Sequence, residues 1–151
     1  MQCAEEDAAA LTAGTKIKVT GYKGEWAGEV EIMDATFEIM EGSWIAEPAD
    51  FTTLLGTDEI ITKMNQLGSF NGLTVVSWSY QNDTVGRDIY LTVSLNGAEY
   101  SFCVESYLTG DGSDVYEAVE ALNAGDIINV DAFVYWYEGP NPHIVSVAVA
   151  G

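Results

Sequence analysis

Ala13 to Gly28 reads AGTKIKVTGYKGEWAG and Ala124 to Gly139 reads AGDIINVDAFVYWYEG, so one pattern is written twice. A repeat constrains a fold more than any single element, because its copies are expected to fold alike. Moving the first segment forward by 111 positions puts Glu6 on Glu117, Ala10 on Ala121 and Leu11 on Leu122. Gly14 then meets Gly125, Ile17 meets Ile128, Val19 meets Val130 and Gly28 meets Gly139. Past that glycine the register slips by one, and Ile32, Ala35 and Phe37 meet Ile144, Val147 and Val149. The shared unit is a short helical approach, Ala-Gly and two strands.

The later copy sits in a full set of elements. LTVVSWSY, from Leu73, reads as a first strand. DIYLTVSL follows, with Ile89, Leu91, Val93 and Leu95 on one face, and EYSFCVES has Tyr100, Phe102 and Val104 inward. Asn96-Gly97 joins the last two as a tight hairpin turn. In SDVYEAVEAL the residues Val115, Ala118, Val119 and Leu122 recur at helical spacing. Asp114 and Glu117 suit a capping box, and Gly125 suits a helix stop. A long strand then lines Ile128, Val130, Ala132, Val134 and Trp136 along one face, EGPNP turns, and HIVSVAVA returns. Three strands, a helix and two strands is the order of a five-stranded oligonucleotide/oligosaccharide-binding (OB-fold) Greek-key barrel.

The early copy has the helix remnant and the last two strands of such a unit but not its first three strands. The expected fold class is therefore mainly β: a complete OB-fold-like unit at 72–151, preceded by an N-terminal segment at 1–14 and a partial OB repeat, a β-hairpin, at 15–40. A connector at 41–71 carries a short amphipathic helix at Asp58–Leu67, with Ile60, Ile61, Met64 and Leu67 on one side. The hairpin's Ile17, Val19, Tyr22, Trp26, Val30, Ile32, Phe37 and Ile39 are too much apolar surface to leave bare. It is expected either to dock on its own chain or to complete a neighbouring subunit, making a homo-oligomer or, added head to tail, a filament.

Hydrophobic residues make up 48% of the chain, enough for a real core, while 24 acidic residues face 5 basic ones, a formal net charge of −19. Such a chain repels polyanions, so no nucleic acid is expected as a partner. The one basic cluster, Lys16, Lys18 and Lys23, is too small to offset the rest. No apolar run reaches the length of a membrane helix, so no integral membrane segment is expected. The two cysteines, a hundred residues apart, make no disulfide framework; Cys103 reads as a small packing residue, and Cys3 as a candidate lipid-anchor position with no apolar leader before it.

Chemistry is sparse. His143 is the only histidine, no nucleophile motif surrounds any serine, and no His/Cys/carboxylate group has zinc spacing, so neither a catalytic residue, a metal nor a cofactor is expected. The acidic loops at 81–88 and 111–114 lack the full EF-hand pattern, and the second is read as a helix cap. The outer face of the second and third barrel strands, where OB-folds bind, presents Tyr90, Thr92, Ser94, Glu99, Ser101, Cys103 and Glu105. Aromatic rows remain: Trp78 and Tyr80 on the first strand, and Phe133, Tyr135 and Tyr137 on the long one. These five are the candidate ligand-binding residues, since exposed rings stack on sugars, although such rows also pack sheets.

GTKIKVTGYKGEWAGEVEIMDATFEI, GSFNGLTV, LTVSLNGAEYSFCVESYLTG and DVYEAVEALNAGDIINVDAFVYWYEGPNPHIVSV resemble OB-like repeats of secreted proteins and lipoproteins from gut and other anaerobic bacteria. YWYEGPNPHI carries the resemblance most specifically. It implies an extracellular or cell-surface, non-catalytic module, expected to serve adhesion or assembly through a protein partner. A carbohydrate-binding module with a glycan partner is the alternative.

Overall fold

The computed structural model describes residues 5–150, and Cys3 lies outside them. The chain divides into two compact units between Glu47 and Pro48.

The first unit opens with the short helix α1 (Glu5–Ala10) and continues as a two-stranded ribbon, β1 (Thr15–Trp26) and β2 (Glu29–Ser43). The expected hairpin is there, with its return strand running past residue 40. Ala27 and Gly28 turn it, both with positive φ (50° and 88°), the twist that a two-residue hairpin turn needs. Ile17 faces Ile39 and Val19 faces Phe37 across the ladder, while Lys18 faces Glu38 at 3.9 Å on the other side. Alternation thus gives the ribbon's first half one apolar and one polar face. Most of its apolar residues are exposed, Ile39 by 52%, Ile32 by 59% and Tyr22 by 74%, while Phe37 is half-buried. Glu29, next to the turn, is by contrast buried, and its Oε2 has no hydrogen-bond partner among the described residues.

The second unit is mainly β, a sheet that closes back on itself. The two-residue strand β3 (Ala49–Asp50) lies beside β4 (Leu67–Tyr80), followed by β5 (Ile89–Leu95), β6 (Ala98–Val104), helix α2 (Asp114–Glu120), β7 (Ile127–Phe133) and β8 (His143–Val149). The strand order is β3-β4-β5-β6-β8-β7, and β7 pairs back onto β4. β4 makes that closure by dividing its length: Leu67–Thr74 pairs with β7 and Thr74–Tyr80 with β5. Register shifts at Phe70/Leu73 and Val75/Ser77 bend it between the two partners. The second shift also moves the inward positions from Leu73 and Val75 to Trp78 and Tyr80.

Inside lie the residues that the alternation marked: Ile89, Leu91 and Val93 from β5, Phe102 and Val104 from β6, Ile128, Val130 and Ala132 from β7. Phe70 is their centre, edge-on to Phe102 at 5.1 Å and to Phe51 at 6.3 Å. Asn96-Gly97 forms the expected turn, both with positive φ.

Five expectations need correction, the first being the long strand: β7 ends at Phe133, and Val134 and Trp136 lie beyond it. The helix at 58–67 is a 3-10 segment confined to Asp58–Lys63: Ile60 is buried, Ile61 exposed, and Leu67 already belongs to β4. The first strand therefore starts at Leu67, five residues before 72, because GSFNG reads locally as a loop while its backbone pairs with β7. Gly68 permits this, since a Cβ there would stand 2.0 Å from the Phe51 ring. The cap of α2 is Ser113, whose Oγ accepts from the Tyr116 amide at 3.2 Å, so Asp114 and Glu117 sit one position too late for a capping box. Finally, α2 ends at Glu120, and Gly125 instead donates its amide to Val75 in the turn before β7.

Candidate functional site

The five aromatic candidates do not form one row. Trp78 and Tyr80 point into the barrel end closed by α2. Trp78 donates from Nε1 to the Leu122 carbonyl at 3.1 Å, Tyr80 donates its hydroxyl to Glu120 at 2.6 Å, and their rings meet edge to face. Both pack against the core. The Glu120 bond is the main cause that raises the Tyr80 phenol to about 12. Phe133 and Tyr137 are exposed on and beyond β7, whereas Tyr135 is half-buried, its ring 4.3 Å from the imidazole of His143.

Of the outer face on β5 and β6, Tyr90, Glu99 and Ser101 are exposed, and Thr92, Ser94 and Glu105 are partly so. Cys103 is not: it is 2% exposed. The Pro142–His143 segment covers it, because β6 and β8 make a parallel bridge at Cys103 and His143, and the Cys103 amide donates to the Pro142 carbonyl at 2.9 Å. Its reading as a packing residue holds, with the cover coming from outside the barrel wall.

That cover builds a cluster absent from any local motif. The ligating atoms of Cys103, Glu105 and His143 lie within 4.8 Å of one another. The absence of zinc spacing in the sequence concerns ligands on one local motif, and here a strand pairing joins residues forty positions apart. Asp88 borders the cluster, its Oδ1 accepting from the Ser106 amide at 2.9 Å and the Ser106 hydroxyl at 2.6 Å. Asn141 Nδ2 lies 3.4 Å from His143 Nε2. Gln81 donates to the Tyr90 hydroxyl at 3.3 Å nearby.

Burial sets the protonation here. It pushes the Cys103 thiol up to about 12, helped by the negative charge of Asp88 and Glu105. It also raises the Glu105 carboxyl, with Asp88 adding to the effect, and lowers the His143 imidazole against the opposing pull of Asp88. A thiol and an imidazole stand side by side, but both are neutral near pH 7, which is not the thiolate–imidazolium pair of a cysteine nucleophile.

A shallow depression of about 390 Å³ lies elsewhere, lined by Thr57, Asp58, Ile60, Ile61, Trp136 and Pro140. Among the described residues no helix is long and apolar enough to cross a membrane.

No known protein family matches the chain, and no curated protein is similar to it. Among solved structures it is similar to asparaginyl-tRNA synthetase from Pyrococcus horikoshii complexed with asparaginyl-adenylate, at 17% identity and a TM-score of 0.43. That likeness takes in 58% of this chain and 20% of the synthetase chain, so the match spans about a fifth of that protein's length.

Proposed function

We propose that the chain is a non-catalytic module, displayed outside the cell, that assembles with copies of itself through its N-terminal ribbon. In this reading the second unit is a five-stranded OB-fold-like barrel, β4-β5-β6-β8-β7, with α2 between its third and fourth strands. The first unit is a partial repeat of it: α1, β1 and β2 follow the order of α2, β7 and β8.

The observation that carries the proposal is the amphipathic ribbon with an uncovered apolar face. Ile17, Val19 and Ile39 are exposed on one side of it, and among the described residues no third strand pairs with either edge. Two strands alone are marginal in water, and open edges seek partners. A second copy is the fitting occupant on grounds of charge. β1 carries three of the chain's five basic residues, Lys16, Lys18 and Lys23, against one acidic residue, Glu25, while the whole chain is at −19. β2 carries five acidic residues, so the basic character is confined to the open β1 edge, and that edge complements an acidic copy of the same protein. A groove of about 530 Å³ at the ribbon base, lined by Thr15, Lys16, Ile17, Gly42, Ser43 and Trp44, continues the face. The same charge disfavours nucleic acid as a partner.

Light scattering across a concentration series tests this. Full-length chain is expected to grow beyond the monomer mass, and Ile17→Lys with Ile39→Lys to remain monomeric. A strictly monomeric parent at high concentration would overturn the proposal. A carbohydrate-binding module remains the second reading because Phe133, at the end of β7, and Tyr137, before the turn that follows, are exposed. Binding on a glycan array that is lost in Tyr137→Ala would favour it.

A further inference from the structure

We propose that Cys103, Glu105 and His143 form a binding site for a soft divalent cation of the zinc class, with Asp88 and Asn141 as its supporting shell. The first ground is the donor set. One sulfur, one imidazole nitrogen and one carboxylate oxygen meet within 4.8 Å. Calcium and magnesium favour oxygen-only shells of six or more ligands, whereas a sulfur–nitrogen–oxygen trio suits a tetrahedral, borderline-soft ion. Bonds of about 2.0–2.3 Å place such ligands about 3.5 Å apart, so side-chain torsions need to draw the trio in by about an ångström.

The second ground is rigidity. Cys103 is the next-to-last residue of β6 and Glu105 the first residue after it, so one strand end supplies two of the three ligating atoms. His143 is delivered by the bridge to Cys103 itself, with the Pro142 carbonyl fixed to the Cys103 amide. The Tyr135 ring lies against the imidazole. Asn141 meets Nε2 and, because its amide can turn over, serves either tautomer. Such outer contacts aim a metal-binding imidazole. Asp88, locked by two bonds from Ser106, brings a second negative charge to the rim.

The third ground is burial. Cys103 is 2% and His143 7% exposed, while Glu105 is half-buried, which leaves one open side for entry. Three protein ligands leave the fourth position to water. When the cation binds, the sulfur gives its proton to solvent and takes the metal in its place.

Cobalt(II) is the probe that separates this corner from the carboxylate-rich surface, since only a thiolate ligand gives an intense sulfur-to-cobalt charge-transfer band. In a Cys3→Ser background Cys103 is the sole thiol. The band is expected to saturate at one cobalt per chain and to vanish on adding zinc. Cys103→Ala should abolish it, with circular dichroism showing an intact fold. His143→Gln should weaken binding by more than the about 10–100-fold that a supporting residue costs, and Asp88→Asn by about tenfold. Should His143→Gln fail to fold, Glu105→Gln gives the same reading from a partly exposed position. No thiolate band at excess cobalt, or a band of unchanged affinity in both ligand variants, would overturn the proposal.

Discussion

Two ribbons in this molecule share one apolar pattern, Ile17 and Val19 matching Ile128 and Val130, in opposite surroundings. β7 and β8 bury Ile128, Val130, Ala132 and Ile144; β1 and β2 expose Ile17, Val19 and Ile32 at the corresponding places. Both pair antiparallel, and apolar residues face apolar ones through β7–β8 and through the first half of β1–β2, whereas beyond it Ile32 faces Lys23. What differs is the next layer. β7 has β4 along its free edge and β8 has β6, so their inward side chains meet Phe70, Phe102 and α2, while β1 and β2 form a sheet of their own. Alternation therefore specifies a ribbon, and burial is conferred by whatever lies across from it.

The largest expected contrast comes from truncating the same residue in both copies. Ile128→Ala should cost about 2–5 kcal/mol in urea unfolding of the barrel, as a fully buried isoleucine does. Ile17→Ala should stay within about 0.5 kcal/mol in dilute monomeric protein. An equal loss at both sites in the monomer would show that the early ribbon is covered within its own chain.

Next in size, Gly68→Ala should destabilise the barrel by about 1–3 kcal/mol, because the added methyl has to displace the Phe51 ring. Thermal unfolding measures it. Removing the hydroxyl cap with Ser113→Ala should cost about 1 kcal/mol by the same measurement. Neither change should alter amide exchange in β1 and β2.

The smallest effect concerns the barrel end under α2. The folded state holds the Tyr80 phenol at about 12, above its ordinary value of 10.0, so it keeps a proton that the unfolded chain releases in between. Its contribution is complete below pH 10 and fades as pH rises towards 12. Tyrosinate absorbance should show one late-ionising group fewer in Tyr80→Phe, and the variant should lose less stability than the parent across that interval.

Most of the barrel was legible from its residues, since β5, β6 and β7 alternate cleanly and Asn96-Gly97 dictates its turn. The start of β4 was not, because Gly68, Asn71 and Gly72 look like loop residues and pair only through contacts with a distant β7. The 3-10 form of Asp58–Lys63 was hidden for a related reason: one turn buries Ile60 and leaves Ile61 outside, which a helical period over ten residues cannot express. The cysteine–histidine cluster was illegible from spacing. One signal did point to it: Cys103 stands at an outward strand position among Glu99, Ser101 and Glu105, where a buried residue needs a cover, and Pro142-His143 supplies it.

The divided pairing of β4 also has a consequence in time. A hairpin such as β1–β2 closes in about 1–10 μs, because its partners adjoin in sequence. The barrel closes only when Leu67 finds Phe133 with β5, β6 and α2 lying between them in the chain, and topologies dominated by such distant pairings fold in about milliseconds to seconds. On a ribosome the ribbon emerges first and is formed well before the barrel can be. Throughout that interval the unpaired edges of β1 and β2 are open to other chains before the barrel exists.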